Sequence, residues 1–359
     1  MNNTKKLLLP SQNRSSIITN IQNINEGIQI LIHRLAVNKK YSRNHMLKRK
    51  RIVGSCCLFF CLVSFLFLPY QALSYDSSSS DDFKKYISAL EKQISHYGWT
   101  DIKPEAISWE YYRTTKNKKP LIFTTFGNST GNCILFIGCV HGDELPTAYL
   151  MFKLAHYVKD NPALFKNKCI IIAPLLNPDG FLAAPPKRVN ANGVDINRNF
   201  STKDWQTNAI RQWIAKGKNK RYYPGTKPAS EQETMFQMAL IKRFKPQKIL
   251  SVHSPLNFFD YDGPSSDLNS FEKWMEQVCK ETNHPLKKFG YFPGSLGNYA
   301  GHERNIFTLT LELPSSDPKL GSEYFRKFQP SILKFINLPV VGSPPNVKII
   351  NNYKYVSNK

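Results

Sequence analysis

An α/β fold is predicted for most of this chain: a single domain on a mixed, mostly parallel, twisted sheet covered by helices on both faces. Three observations predict it. Apolar runs of strand length alternate with stretches of helical spacing between about residues 119 and 340, the pattern that layers helices on a sheet. Several of those runs are apolar throughout rather than alternating, as expected when both faces of a sheet are covered. The chain is also long enough, at 359 residues, to bury a full core.

The elements follow in order. Lys48-Arg49-Lys50-Arg51 precedes the apolar run 52–68, and Pro69 and the small-residue exit Ala72-x-Ser74 follow it. That order makes residues 46–74 a secretory signal, cleaved after Ser74. The run is also just long enough to be an uncleaved membrane anchor. Starting at Met46 gives a signal of ordinary length, so residues 1–45 are expected to be untranslated; the rival is a cytoplasmic tail on an anchored protein. Either way the body is expected to be exported, to a periplasm or cell envelope. Residues 75–118 form a linker and an N-terminal helix, with Phe83, Ile87, Leu90 and Ile94 at helical spacing. Tyr111 to Lys119 reads as a polar turn closed by Pro120.

The catalytic body is placed at 119–340. Strands are expected at Leu121–Thr125, Cys133–Val140, Cys169–Leu176, Lys248–His253 and Ile306–Leu313. Helices are expected at about Leu145–Val158, Ser230–Phe244, Leu268–Glu281 and Glu323–Ile336. Pro146 suits the first turn of one, and Ser230-x-x-Glu233 is a capping box for another. The tail 341–359 is expected to be extended.

Net charge is +23, of which residues 1–74 carry +10 and residues 75–359 carry +13. A basic body suits an anionic polymer or surface, or else reflects solubility alone. Nucleic acid is not expected, because no helix-turn-helix, zinc-finger or ribonucleoprotein pattern is present. Membrane contact is expected only through the N-terminal segment, if it stays uncleaved. Cys133, Cys139, Cys169 and Cys279 lie outside that segment. They contain no CxxC pair and no disulfide framework is expected from them; they read as small buried hydrophobes.

Open α/β sheets place their chemistry at the carboxyl ends of strands, so the loops beginning near residues 140, 176, 253 and 313 matter most. The first holds His141-x-x-Glu144, either half of a metal site or a polar turn. The second, Asn177-Pro178-Asp179-Gly180, is turn chemistry. Beyond it, 188-RVNANGVDINRNF-200 carries two arginines, suited to carboxylates and oxyanions or else simply solvated. His253 closes an apolar strand; alone it reads as a core residue, but beside His141 and Glu144 it becomes a third ligand. Glu312 lies in 306-IFTLTLELP-314, where a carboxylate at an apolar wall can serve as general base or acid. Asp260 and Asp262, in 258-FFDYDGP-264, either meet an amino group or shape a turn, with the turn favoured.

In this order the motifs resemble the zinc carboxypeptidases of the carboxypeptidase A type, over about residues 119–337. Segments Pro174–Gly180, Asn190–Phe200, His253–Pro264 and 294-GSLGNYAG-301 look most like the bacterial branch of peptidoglycan amidases and D,L-carboxypeptidases. The resemblance implies a zinc carboxypeptidase-like fold and one Zn2+ per chain, held by His141, Glu144 and His253. It implies Glu312 as catalytic base, Arg188 as oxyanion stabiliser, and Asn197 and Arg198 as grips for the substrate's terminal carboxylate. The implied substrate is a peptidoglycan stem peptide, cut at its γ-D-glutamyl–diaminopimelate bond. Alternatives are a carboxypeptidase acting on ordinary L-peptides, a non-catalytic wall-binding relative, and an acyl-amino-acid deacylase, which the motif order disfavours. For the family's mobile tyrosine, neither Tyr291 nor Tyr299 aligns well.

Overall fold

The computed structural model describes residues 81–128, 132–263, 268–287, 290 and 292–339. The expectations for residues 1–45, for the signal or anchor at 46–74, for the tail 341–359 and for Tyr291 lie outside them.

Seven strands form one sheet: β1 (Glu110–Thr114), β2 (Pro120–Gly127), β3 (Cys133–Ile137), β4 (Cys169–Ala173), β5 (Lys248–His253), β6 (Phe258–Gly263) and β7 (Phe307–Glu312), in the order β1-β2-β4-β3-β5-β7-β6. The inner four, β4-β3-β5-β7, are parallel; β2 joins β4, β1 joins β2 and β6 joins β7 antiparallel. The predicted mixed, mostly parallel sheet is therefore present. Strands β3, β4 and β5 are buried along their whole length, which is why β3 and β4 read as unbroken apolar runs.

Five longer helices accompany the sheet: α1 (Asp81–His96), α2 (Leu145–Asp160), α3 (Gln232–Phe244), α4 (Leu268–Thr282) and α5 (Gly321–Asn337). Two apolar clusters fill the body. One joins Ile134, Phe136, Ile170, Ile172 and Leu250 of the sheet to residues of α1, α2, α4 and α5. The other joins Leu135, Ile137, Ile171 and Ile249 to Phe236 and Leu240 of α3. Alternate residues of β3 and β4 thus point into different clusters, as side chains on opposite sheet faces must. The N-terminal helix belongs to this core: Phe83, Ile87, Leu90 and Ile94 are all buried in the first cluster.

Four expectations are corrected. Tyr111 to Thr114 is strand rather than turn, and the turn begins at Thr115, whose N–H and carbonyl bond Lys119 and Lys118. This edge strand is polar because it is only half buried. Tyr112 anchors it, with its ring against Phe123 and Phe236 and its hydroxyl donating to the Phe236 carbonyl at 3.0 Å. Residues 258–263 form the other edge strand. The capping box is not made: α3 begins at Gln232 with no side-chain cap, because Ser230 donates to Glu231 at 2.6 Å and Glu233 accepts from Asn190 at 3.0 Å. Finally, Cys133 and Cys169 are not two separate apolar residues but a disulfide. The parallel register sets them directly opposite each other, with Cα atoms 4.3 Å apart. Cys139 and Cys279 are free thiols.

Candidate active site

Chain order places the site. From β3 the chain crosses through α2 to β4 on one side, then returns to β5 on the other. The crevice at the carboxyl ends of β3 and β5 is the switch point where such sheets bind ligands. His141 follows β3, and His253 is the last residue of β5.

Local structure aims both groups inward. After Ile137 the chain turns sharply, and Cys139 N–H donates to Thr147 Oγ1 at 2.9 Å. Thr147 Oγ1 in turn donates to the Glu144 carbonyl at 2.6 Å, so α2, with Pro146 in its first turn, fixes Glu144 where it begins. Gly142 is required by close approach: a Cβ there would lie 2.3 Å from the Gly180 carbonyl carbon. Segment 177–181 is a short helical turn in which Asn177 accepts from Gly180 N–H at 2.9 Å. Asn177 Nδ2 and the Gly142 N–H both donate to the Arg188 carbonyl, at 2.9 and 3.3 Å. The second loop is thus structural, as its composition predicts, and it sets the backbone that carries Arg188.

His141, Glu144 and His253 are all buried, and their ligating atoms lie within 4.8 Å of one another. Glu144 sits between the rings: Oε1 is 2.7 Å from His141 Nδ1, and Oε2 is 2.9 Å from His253 Nδ1. The outer nitrogens are engaged as well, His141 Nε2 with Asp195 at 3.0 Å and His253 Nε2 with Ser251 Oγ at 3.1 Å. Two imidazoles with anchored far nitrogens and one carboxylate, all facing one point, fit a zinc ion. Burial alone would raise the Glu144 pKa, but the two histidines hold it below its ordinary value.

The structure brings the remaining candidates to the same place. Arg188 donates from Nη1 to Glu144 at 3.3 Å and from Nη2 to Asp195 at 2.9 Å. Asn197 Oδ1 accepts from Leu296 N–H at 2.8 Å, which ties the arginine loop to the 294–301 segment. Arg198 is half-buried and lies over the Phe292 ring at 4.3 Å. Glu312 pairs with His253 across β5 and β7. Burial, reinforced by the negative charge of Glu144, pushes its carboxyl up to about 8. Its Oε2 is buried and has no hydrogen-bond partner among the described residues, an exception to the usual pairing of buried polar atoms that points to a functional role.

Asp195 is the important residue that sequence reasoning passed over. It is fully buried (0 %), accepts from Arg188 and the Asn197 N–H, and orients His141. The only sequence signal is an acid seven positions after Arg188 in a loop that also holds Arg198. Asp262 packs against the backbone of Gly297 and Gly301, where an added Cβ would meet it within 2.3 Å of its carboxyl carbon or carbonyl oxygen. Asp260 is buried on β6, opposite Thr310. Tyr299 is buried, with its ring against Phe200 and the Arg304 guanidinium over it.

Comparison with known proteins accords with this geometry. The model of the zinc carboxypeptidase family matches residues 103–317. Murein peptide amidase A of Escherichia coli K12 is 28% identical over 231 residues, covering 63% of this chain and 89% of the relative. The protein of that name from Vibrio campbellii is 31% identical over 201 residues, covering 55% and 74%. Carboxypeptidase A from Helicoverpa armigera superposes with a TM-score of 0.52 at 18% identity, covering 77% and 79%, which shows the shared fold. Because the family match spans every strand and loop that builds this centre, the chain belongs to the zinc carboxypeptidases, a family of hydrolases.

Proposed function

We propose that this chain is an exported zinc peptidase that cuts an amide bond at the C-terminal end of a peptidoglycan stem peptide, at the γ-D-glutamyl–diaminopimelate bond. The observation that carries the reading is the buried His141–Glu144–His253 cluster beside Glu312, whose buried Oε2 has no hydrogen-bond partner among the described residues. The similarity to murein peptide amidases supplies the substrate class. Export is supported by the Cys133–Cys169 disulfide, a bond that persists in oxidising compartments, and by the signal-like residues 46–74.

His141, Glu144 and His253 would hold one zinc ion. When bound, zinc supplies a Lewis acid, a water of lowered pKa and a positive charge that favours ionised Glu312. Glu312 takes a proton from the water that attacks the scissile carbonyl and passes it to the leaving amine. Arg188, fixed from both ends by Asp195 and Glu144, donates to the oxyanion as it develops. Asn197 and Arg198 hold the terminal carboxylate and so set which bond reaches Glu312.

The test is mass spectrometry of purified murein peptides incubated with residues 75–359, with and without a zinc chelator. Expected is loss of diaminopimelate that stops with chelation. Replacing Glu312→Gln lowers turnover by about 10²–10⁴-fold with zinc still bound. Undiminished turnover sinks the mechanism, and cleavage of simple L-peptides in preference to murein peptides moves the substrate to ordinary peptides.

A further inference from the structure

Two aromatic rings link the site's arginines to a side chain that the reading above leaves without a role. Arg188 lies 5.5 Å from the centre of the Tyr222 ring, and Arg198 lies 4.3 Å from that of Phe292. Lys216 Nζ lies 5.5 Å from the Tyr222 centre and 5.3 Å from the Phe292 centre. Three cations from separate segments therefore converge on two half-buried rings. Lys216 itself is exposed, and among the described residues no acid forms an ion pair with it.

Lys216 belongs to a stretch, residues 201–230, that holds seven Lys and Arg and one acid, Asp204. The stretch is fastened to the site. Asp195 N–H donates to the Tyr223 carbonyl at 2.8 Å, Arg188 Nε donates to the Arg221 carbonyl at 3.3 Å, and the Arg221 side chain pairs with Asp143 at 3.1 Å. Its backbone is thereby held against the catalytic loop, and Lys216 stands at the rim of the cleft rather than on a remote face.

Arg198 and Asn197 account for one carboxylate, and Arg188 for the oxyanion. A further ammonium beside them, with no acid of its own, suits a second carboxylate on the same terminal residue. The two rings suit the aliphatic chain that would join the carboxylates. We propose that Lys216 is a specificity residue that binds the second, side-chain carboxylate of a dicarboxylic terminal residue. This rests on the peptidase reading.

The test compares two tripeptides with the zinc-loaded full chain, alike except that one ends in lysine and the other in diaminopimelate, which is lysine with one more carboxylate. The wild type is expected to prefer the diaminopimelate peptide in kcat/KM, mainly through KM. Lys216→Ala is expected to reduce that preference about tenfold, the usual weight of one charge-assisted hydrogen bond, and Lys216→Glu to reduce it further. A preference that does not move overturns the proposal. Calorimetric binding of free diaminopimelate and free lysine to the Glu312→Gln protein, with and without Lys216→Ala, needs no turnover. If the wild type cleaves neither peptide, the peptidase reading fails. Lys216 is then judged by binding alone: equal affinity for the two amino acids, or an affinity difference that Lys216→Ala leaves intact, overturns it.

Discussion

Replacing Asp195→Asn keeps the size of the side chain and one acceptor oxygen but removes its charge. The carboxylate now serves three donors: His141 Nε2 at 3.0 Å, Arg188 Nη2 at 2.9 Å and the Asn197 N–H at 3.0 Å. An amide must turn its NH2 toward at least one of them. Breaking a buried ion pair by neutralising one partner costs about 3–5 kcal/mol. Arg188 keeps its longer contact with Glu144 at 3.3 Å, so the lower end, about 3 kcal/mol, is expected here. In a domain of this size that lowers Tm by about 6–12 °C. Zinc affinity is expected to fall about 10–100-fold, because His141 loses the acceptor that fixes its ring and tautomer.

Two assays read these separately: thermal unfolding of metal-stripped protein, and zinc competition against a coloured chelator. Burial alone would raise the Asp195 pKa, but Arg188 and His141 pull it well below the ordinary carboxylate value. Its stabilisation is therefore present above the unfolded pKa and lost as pH falls through the folded one. The gap in Tm between wild type and variant should persist at neutral pH and close only in acid. Wild-type zinc affinity in the variant would refute the claim that Asp195 orients His141, and an unchanged Tm would refute the claim that its charge is structurally required.

Three further outcomes are expected. Gly142→Ala forces a methyl to within 2.3 Å of the Gly180 backbone; it should cost about 1–3 kcal/mol or more and weaken zinc binding by displacing His141, both measurable on the same protein. Cys133→Ser should destabilise the body by about 2–4 kcal/mol in denaturant unfolding and expose one extra thiol, Cys169, to titration before reduction. Burial, with the charges of Glu231 and Asp179, pushes Glu233 up to about 7. Its contribution to stability is full below the unfolded value and disappears as pH rises through 7, so Glu233→Gln should flatten the pH dependence of unfolding between about pH 5 and 7, by about 3 kcal/mol.

The metal cluster was legible because both of its histidines stand where an apolar pattern stops, and Glu144 lies three residues after the first. Val140 gives way to His141, and Val252 to His253, and in a parallel sheet the carboxyl end of a strand is where the chain must leave the core. Glu312 was legible for the opposite reason: an acid inside an apolar strand has to be explained. The edge strand β1 escaped notice because a half-buried strand needs no apolar pattern, and β6 because its Asp-Tyr-Asp-Gly run reads as a turn. β1 is defined by its ladder to β2 and by Tyr112 resting on a helix more than a hundred residues away. The disulfide escaped because pairing Cys133 with Cys169 requires the register of β3 on β4, which the apolar residues of either strand alone do not fix; a slip of two residues would keep every face and separate the sulfurs. Asp195 escaped because Asn, Gly and Asp make its loop read as solvated. What buries it is the Tyr223 backbone on one side and, on the other, Arg188, whose own carbonyl is held by Asn177 and Gly142. These contacts join segments that sequence spacing cannot relate. The residues that do the chemistry could be found one at a time along the chain, whereas those that hold them in place become visible only when the loops are brought together.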